Sequence, residues 1–272
     1  WQTRKTESTV SYETIEFEMR GSVAWITLNR PKSFNALNLA MAKELCDLSI
    51  RLGEDKNVRA VVMTGNGEAA YCAGGDVPSF ADDLENLPVL LKEMTTYLHM
   101  AISRFAWMRA PMIAAVNGVA AGAGLSMVAC TDLAIAVEGA SFTSAYTKIG
   151  LSPDGSSTYY LPRIIGTRRA AELYMTNRVL NAQEALDWGL INKIVPAADL
   201  LSEAEKLANQ LADSATEAMG AVKEMLLTST TDSLESQMER ETRNIARLGG
   251  TADGREGIDA FLNKRKPAFT GS

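Results

Sequence analysis

The stretch Met112-Ile113-Ala114-Ala115-Val116-Asn117-Gly118-Val119-Ala120-Ala121-Gly122-Ala123-Gly124 decides how this chain is read. Its first five residues are an unbroken apolar run, which suits a strand buried on both faces, and the glycines that follow make a turn into a helix-compatible segment beginning at Gly122. A buried strand feeding a turn and then a helix belongs to an α/β architecture with a mostly parallel sheet, because parallel neighbours need crossover connections. A second turn of the same kind, Ala73-Gly74-Gly75-Asp76, also follows a short apolar run. Small residues let a ligand oxygen approach the backbone N–H groups, and a helix starting at Gly122 adds its positive dipole end. Two such turns outline an oxyanion hole able to stabilise an enolate. Taken singly, each turn also fits plain packing or a phosphate cradle. The phosphate versions match poorly: Gly122-Ala123-Gly124-Leu125 is not followed by the glycine of a dinucleotide turn, and no G-x-x-x-x-G-K-[ST] occurs.

Outward from this stretch the alternation continues. Residues 14–20 and 23–29 alternate apolar and polar around Gly21-Ser22 and read as a hairpin that Arg30-Pro31 ends. A helix is predicted over 39–52, with Met41, Leu45, Leu48 and Leu52 on one face, and a buried strand over 58–63. A further helix over 88–108 and a strand over 132–137 complete the pattern, which places a ligand outside the carboxyl ends of the strands. From residue 198 the apolar spacing is helical, over 201–211, 218–227, 234–248 and 255–264, with no further strand. The expected organisation is a core over 1–197 and a helical oligomerisation region over 198–272.

The 272 residues, 46% apolar and 22% charged, suit one large domain or a domain with an appendage. A net charge of −6 gives no broad basic face, so nucleic acid is not an expected partner. Cys46, Cys72 and Cys130 are too dispersed for a disulfide framework or paired metal ligands, which points to packing roles and a reducing, cytoplasmic setting. No metal site is expected. Residues 1–11 are polar and charged, and no apolar run reaches the ~18 residues of a membrane span, so no membrane contact is expected. Because the first residue is Trp1 rather than Met, residues before it are expected, and a targeting segment among them stays open.

Together these segments resemble the crotonase, or enoyl-CoA hydratase/isomerase, superfamily. The resemblance is carried by Leu28-Asn29-Arg30-Pro31 with Asn35-Ala36-Leu37, by the two glycine turns, by Ala185-Leu186-Asp187-Trp188-Gly189-Leu190, and by Phe261-Leu262-Asn263-Lys264-Arg265-Lys266. It implies a spiral of ββα units with a C-terminal helical trimerisation region, a homotrimer or dimer of trimers, and acyl-CoA thioester chemistry. Coenzyme A would then be part of the substrate, with no separate cofactor. The resemblance assigns the enolate-binding amides to Gly75 and Ala123. It places coenzyme A against Lys32, Phe34 and Ala36 and against Ala73, Asp76 and Val77, and it makes Phe261 and Lys264 the pair that reaches a neighbouring subunit's ligand.

The chain also departs from the family's hydratases, whose two glutamates position water and exchange a proton. Their places hold Ser126 and Tyr146. A hydroxyl orients water without serving as an ordinary base, and a phenol is a poor base at neutral pH. One carboxylate remains in Ser152-Pro153-Asp154-Gly155-Ser156-Ser157. From the residues alone, Asp154 fits a helix N-cap as well as a reacting group. Isomerase branches of the family have Pro-Asp here, and the segments Lys148-Ile149-Gly150-Leu151 and Ala252-Asp253-Gly254-Arg255-Glu256-Gly257 resemble the ring-rearranging isomerases of phenylacetate degradation most. In that reading Asp154 moves a proton between carbons.

A rival branch, the 4-chlorobenzoyl-CoA dehalogenases, uses an aspartate placed like Asp154 and a histidine placed like His99, the only histidine here. That branch has tryptophan where this chain has Tyr146. His99 also fits a packing position on a helix with Met94, Leu98, Ile102 and Phe105, and Tyr159, Tyr160 and Trp107 fit either an acyl pocket or the core. The expected activity is therefore an acyl-CoA isomerase, with a hydratase as the alternative. An aspartate-nucleophile dehalogenase and a non-catalytic CoA- or RNA-binding protein rank behind these.

Overall fold

A computed structural model describes residues 11–272, so of the polar start read at 1–11 nearly all lies outside the described residues. The chain opens with β1 (Ile15–Arg20), β2 (Val23–Leu28), α1 (Leu39–Glu54), β3 (Ala60–Gly65) and β4 (Ala70–Cys72). It continues with α2 (Val77–Phe80), α3 (Leu87–Trp107), β5 (Met112–Val116), β6 (Val119–Ala121) and α4 (Ala123–Ala129). Next come β7 (Leu133–Val137), β8 (Ser141–Thr143), α5 (Ser157–Ile165), α6 (Thr167–Thr176), β9 (Val179–Asn181), α7 (Ala182–Asp187) and β10 (Lys193–Val195). Four helices close the chain: α8 (Leu200–Ala212), α9 (Thr216–Thr228), α10 (Leu234–Gly249) and α11 (Ala252–Leu262).

From β3 to β8 successive strands go alternately to two sheets. The larger has the order β1-β2-β3-β5-β7-β10, parallel except for the β1–β2 hairpin. The smaller has the order β4-β6-β8-β9, with only β9 antiparallel. Each pair β3/β4, β5/β6 and β7/β8 thus sends one strand to each sheet before helical chain carries the path onward, and this is the ββα spiral. All residues of β3 and β5 are buried, as unbroken apolar runs require.

Local chemistry explains the covering helices. Asn38 caps α1 by accepting from the Met41 N–H at 2.9 Å, a contact worth about 1 kcal/mol. Met41, Leu45, Leu48 and Leu52 then form its buried stripe against α3, each contributing about 1.5–3 kcal/mol relative to exposure. The boundary expected at 197/198 falls in the short turn Ala197–Asp199. Beyond it, α8 still packs on the larger sheet through the buried residues Leu200, Ala204, Ala208 and Ala212, so the helical tail begins as part of the core. The Lys223 ammonium ties α9 to the core, 2.8 Å from the Asp132 carboxylate and donating to the carbonyls of Phe105 and Ala110. In contrast, Leu234, Met238, Ile245, Ile258 and Phe261 on α10 and α11 are exposed. No helix among the described residues is long and apolar enough to cross a membrane.

Candidate active site

The carboxyl ends of three neighbouring short strands build one cavity of about 340 Å³: Gly75 follows β4, Ala123 follows β6, and Tyr146 follows β8. Asp154, on the loop before α5, shares the polar lining with Lys92, Thr95, Lys148 and Ser152, and Val77, Phe80, Met94 and Leu98 give apolar walls.

Both glycine turns have the geometry their residues predict. Gly74 at φ 101 and Gly122 at φ 51 adopt left-handed backbone that glycine accepts without strain. The helix begins one residue later than expected, at Ala123, with Gly122 at its cap position. A Cβ on Gly124 would lie 2.1 Å from the Cys72 carbonyl oxygen, so only glycine lets α4 sit against β4. The Gly75 and Ala123 amides have no hydrogen-bond acceptor among the described residues, and both border the cavity. Two free N–H groups beside a cavity can receive an oxyanion.

The first turn is joined to the loop after β2. Leu37 N–H donates to Gly74 O at 2.7 Å, Asp76 N–H donates to Leu37 O at 2.9 Å, and Ala73 N–H donates to Phe34 O at 3.0 Å. Arg30 pairs with Asp76 at 2.7 Å and donates to Ala36 O. Asp76 is therefore engaged in holding the loop, and Ala36 is buried. Of the positions expected to meet coenzyme A, Ala73 and Val77 border the cavity, whereas Lys32 and Phe34 lie exposed on the adjoining loop. Phe261 and Lys264 lie at the exposed end of α11, and Phe261 borders a separate groove against Phe269 and Leu248.

Around the carboxylate, the Tyr146 hydroxyl donates a short hydrogen bond to Asp154 Oδ1 and lies 3.2 Å from Ser126 Oγ. Burial, reinforced by the negative charge of Asp154, pushes the Tyr146 phenol far above its ordinary pKa. It stays a donor and is excluded as a base. Asp154 does not cap α5: the cap position is Ser156, which makes no side-chain cap bond. Ser126 is fully buried behind the cavity and does not line it; its Oγ contacts the Asp154 carbonyl oxygen at 3.0 Å, and Ser157 Oγ donates to the same oxygen at 3.0 Å.

His99 does not border this cavity. It lies on the far side of the 154–156 turn, where its Nε2 accepts from the Gly155 N–H at 3.1 Å. Tyr159, Tyr160 and Trp107 accompany it there, so among the candidate aromatics only Tyr146 reaches the first cavity. Burial pushes the Cys72 and Cys130 thiols up to about 12, which keeps both as packing residues. Phe80, Met94 and Leu98 were not legible as lining, since their spacing is that of any buried helical face.

The family model described as Enoyl-CoA hydratase/isomerase matches residues 18–272. A probable enoyl-CoA hydratase of Rhodobacter capsulatus is 40% identical over 262 residues, covering 96% of this chain and 100% of the relative. The 1,2-epoxyphenylacetyl-CoA isomerase of Escherichia coli is 36% identical, covering 95% of this chain and 99% of its own. Among solved structures, an enoyl-CoA hydratase from Polaromonas superposes with a TM-score of 0.89 at 34% identity, over 94% of this chain and 99% of that one.

Proposed function

From membership of the enoyl-CoA hydratase/isomerase family, to which this chain belongs and which acts on acyl-CoA thioesters, we propose that its reaction is isomerisation through a thioester enolate. The Gly75 and Ala123 amides receive the thioester oxygen. The Asp154 carboxylate takes a proton from C2 or C4 of the acyl group, the electron pair moves toward the carbonyl as the enolate, and Asp154 returns the proton to the other carbon. Formula and charge are unchanged, and the double bond has moved or the ring-derived system has rearranged. No separate cofactor enters, since coenzyme A arrives on the substrate.

The observation that carries this reading is Asp154, the one carboxylate lining the cavity among the described residues, which shares that lining with two amides without acceptors and is clamped by a phenol that keeps its proton. Where the family's hydratases use two glutamates, this chain has Ser126 and Tyr146. Hydration is the second reading, favoured by the name of the R. capsulatus relative. The exposed apolar residues of α10 and α11 support a trimer built through the tail.

The test is mass spectrometry of products from 2-enoyl-, 3-enoyl- and ring-epoxide phenylacetyl-CoA in oxygen-18 water. Unchanged mass with altered retention is expected. Solvent oxygen in the acyl group would establish hydration instead.

A further inference from the structure

The turn Asp154-Gly155-Ser156 is a shared wall. Asp154 faces the cavity described above, and Ser156 faces a second one of about 320 Å³, bordered also by His99, Ser103, Trp107 and Tyr159. The wall is a conformation that must be enforced: Gly155 at φ 59 and Ser156 at φ 61 are consecutive left-handed residues, and the second carries a side chain, at about 1–2 kcal/mol. A Cβ on Gly155 would stand 2.7 Å from Ser126 Cβ, so the turn is also pressed closely against α4. On its buried side the Ser126 and Ser157 hydroxyls and the Ser157 N–H meet at the Asp154 carbonyl oxygen. On the other side one side chain holds the opposite end of the same 154–155 peptide, His99 Nε2 accepting the Gly155 N–H at 3.1 Å. That bond requires a free lone pair on Nε2, so the ring proton sits on Nδ1.

We propose that His99 is a positioning residue for Asp154. By fixing the 154–155 peptide from outside the reaction cavity, it sets the direction in which the carboxylate meets the acyl carbon, without touching substrate. Any side chain that places an acceptor at the same point serves the same purpose, whereas one without an acceptor releases the turn. This inference rests on the reading of Asp154 as the proton carrier. Displacing a reacting group by ~1 Å costs on the order of 100-fold in rate, with little change in ground-state binding.

The experiment compares kcat and KM for isomerisation in the wild type, H99F, H99A, H99Q and D154N, with thermal unfolding of each. The expected result is a kcat lowered about 10- to 100-fold in H99F and H99A with KM nearly unchanged, and recovery to within about threefold in H99Q, whose amide oxygen accepts the Gly155 N–H. Because His99 is exposed, its variants should fold, and H99A repeats the comparison if the phenyl ring disturbs α3. Wild-type kcat in both H99F and H99A overturns the proposal. So does a loss in H99Q equal to theirs, or losses that track the unfolding temperature alone. Retained turnover in D154N removes the reading of Asp154 itself, an outcome visible without any His99 variant.

Discussion

The two sides of the cavity are held by different kinds of bond. On the amide side, Gly75 and Ala123 are placed by main chain: the Leu37–Gly74 and Asp76–Leu37 hydrogen bonds, the Gly122 N–H to Thr143 O bond at 3.1 Å, and the close approach of Gly124 to Cys72. On the carboxylate side, Asp154 is placed mostly by the side chains of Tyr146, Ser126, Ser157 and His99, with one main-chain bond, Ser157 N–H to Asp154 O at 3.2 Å. Main-chain bonds belong to the fold and survive substitution, whereas each side-chain bond is removed by one mutation. Apart from the Arg30–Asp76 pair that braces its first turn, the amide side should therefore yield mainly to added bulk, and the carboxylate side should respond in graded steps to single deletions.

The largest effect should come from Asp154→Asn, which keeps the shape and removes the base. A kcat loss of up to about 10,000-fold is expected, with acyl-CoA affinity by isothermal titration unchanged; weakened binding would mean that the carboxylate also holds ground-state substrate. Next, Ala123→Val adds bulk where the side chain is buried beside the cavity and should cost about 100- to 1,000-fold in kcat. A normal rate in that variant would break the contrast, because the amide side would then tolerate bulk.

Tyr146→Phe removes one bond to a charged acceptor and should lower kcat about 10-fold or somewhat more. The raised phenol pKa also means that the wild-type bond persists through the alkaline range, so the wild-type rate should show no falling limb near pH 10, the usual phenol range. A falling limb there that Tyr146→Phe abolishes would contradict it. The smallest step is Ser157→Ala, which removes one of three neutral hydrogen bonds on the Asp154 carbonyl and leaves the Ser126 hydroxyl and the Ser157 N–H in place, and is expected to cost about threefold. If steady-state kinetics give Ser157→Ala a larger effect than Tyr146→Phe, backbone placement matters more than the clamp on the carboxylate.

The larger sheet and the long helices were legible because their apolar runs and stripes are long enough to have a period. The hairpin around Gly21-Ser22, the strand Met112–Val116 and the four C-terminal helices lie where the spacing predicts them. The smaller sheet could not be read from periodicity. Its strands are three residues each, and Ala70-Tyr71-Cys72 or Val119-Ala120-Ala121 show no alternation that a loop would lack. Only the family resemblance implied a second strand in each repeat, and it is this sheet whose ends carry Gly75, Ala123 and Tyr146. The amides themselves were visible through their glycines, since close backbone approach demands small residues. The partner of His99 left no trace in the sequence, because an imidazole accepting a backbone N–H from 56 residues away imposes no residue type on that partner.

The two acceptor-free amides have a consequence in the time domain. Most N–H groups around β4 and β6 are paired and exchange with solvent deuterium only when the sheet opens, whereas Gly75 and Ala123 sit on the same rigid frame without that protection. Their protons should exchange through the cavity rather than through unfolding, at rates insensitive to denaturant. A bound thioester oxygen would slow those two directly, beyond the general stabilisation that a ligand gives to amides exchanging through unfolding, so they report occupancy residue by residue without any label on the ligand.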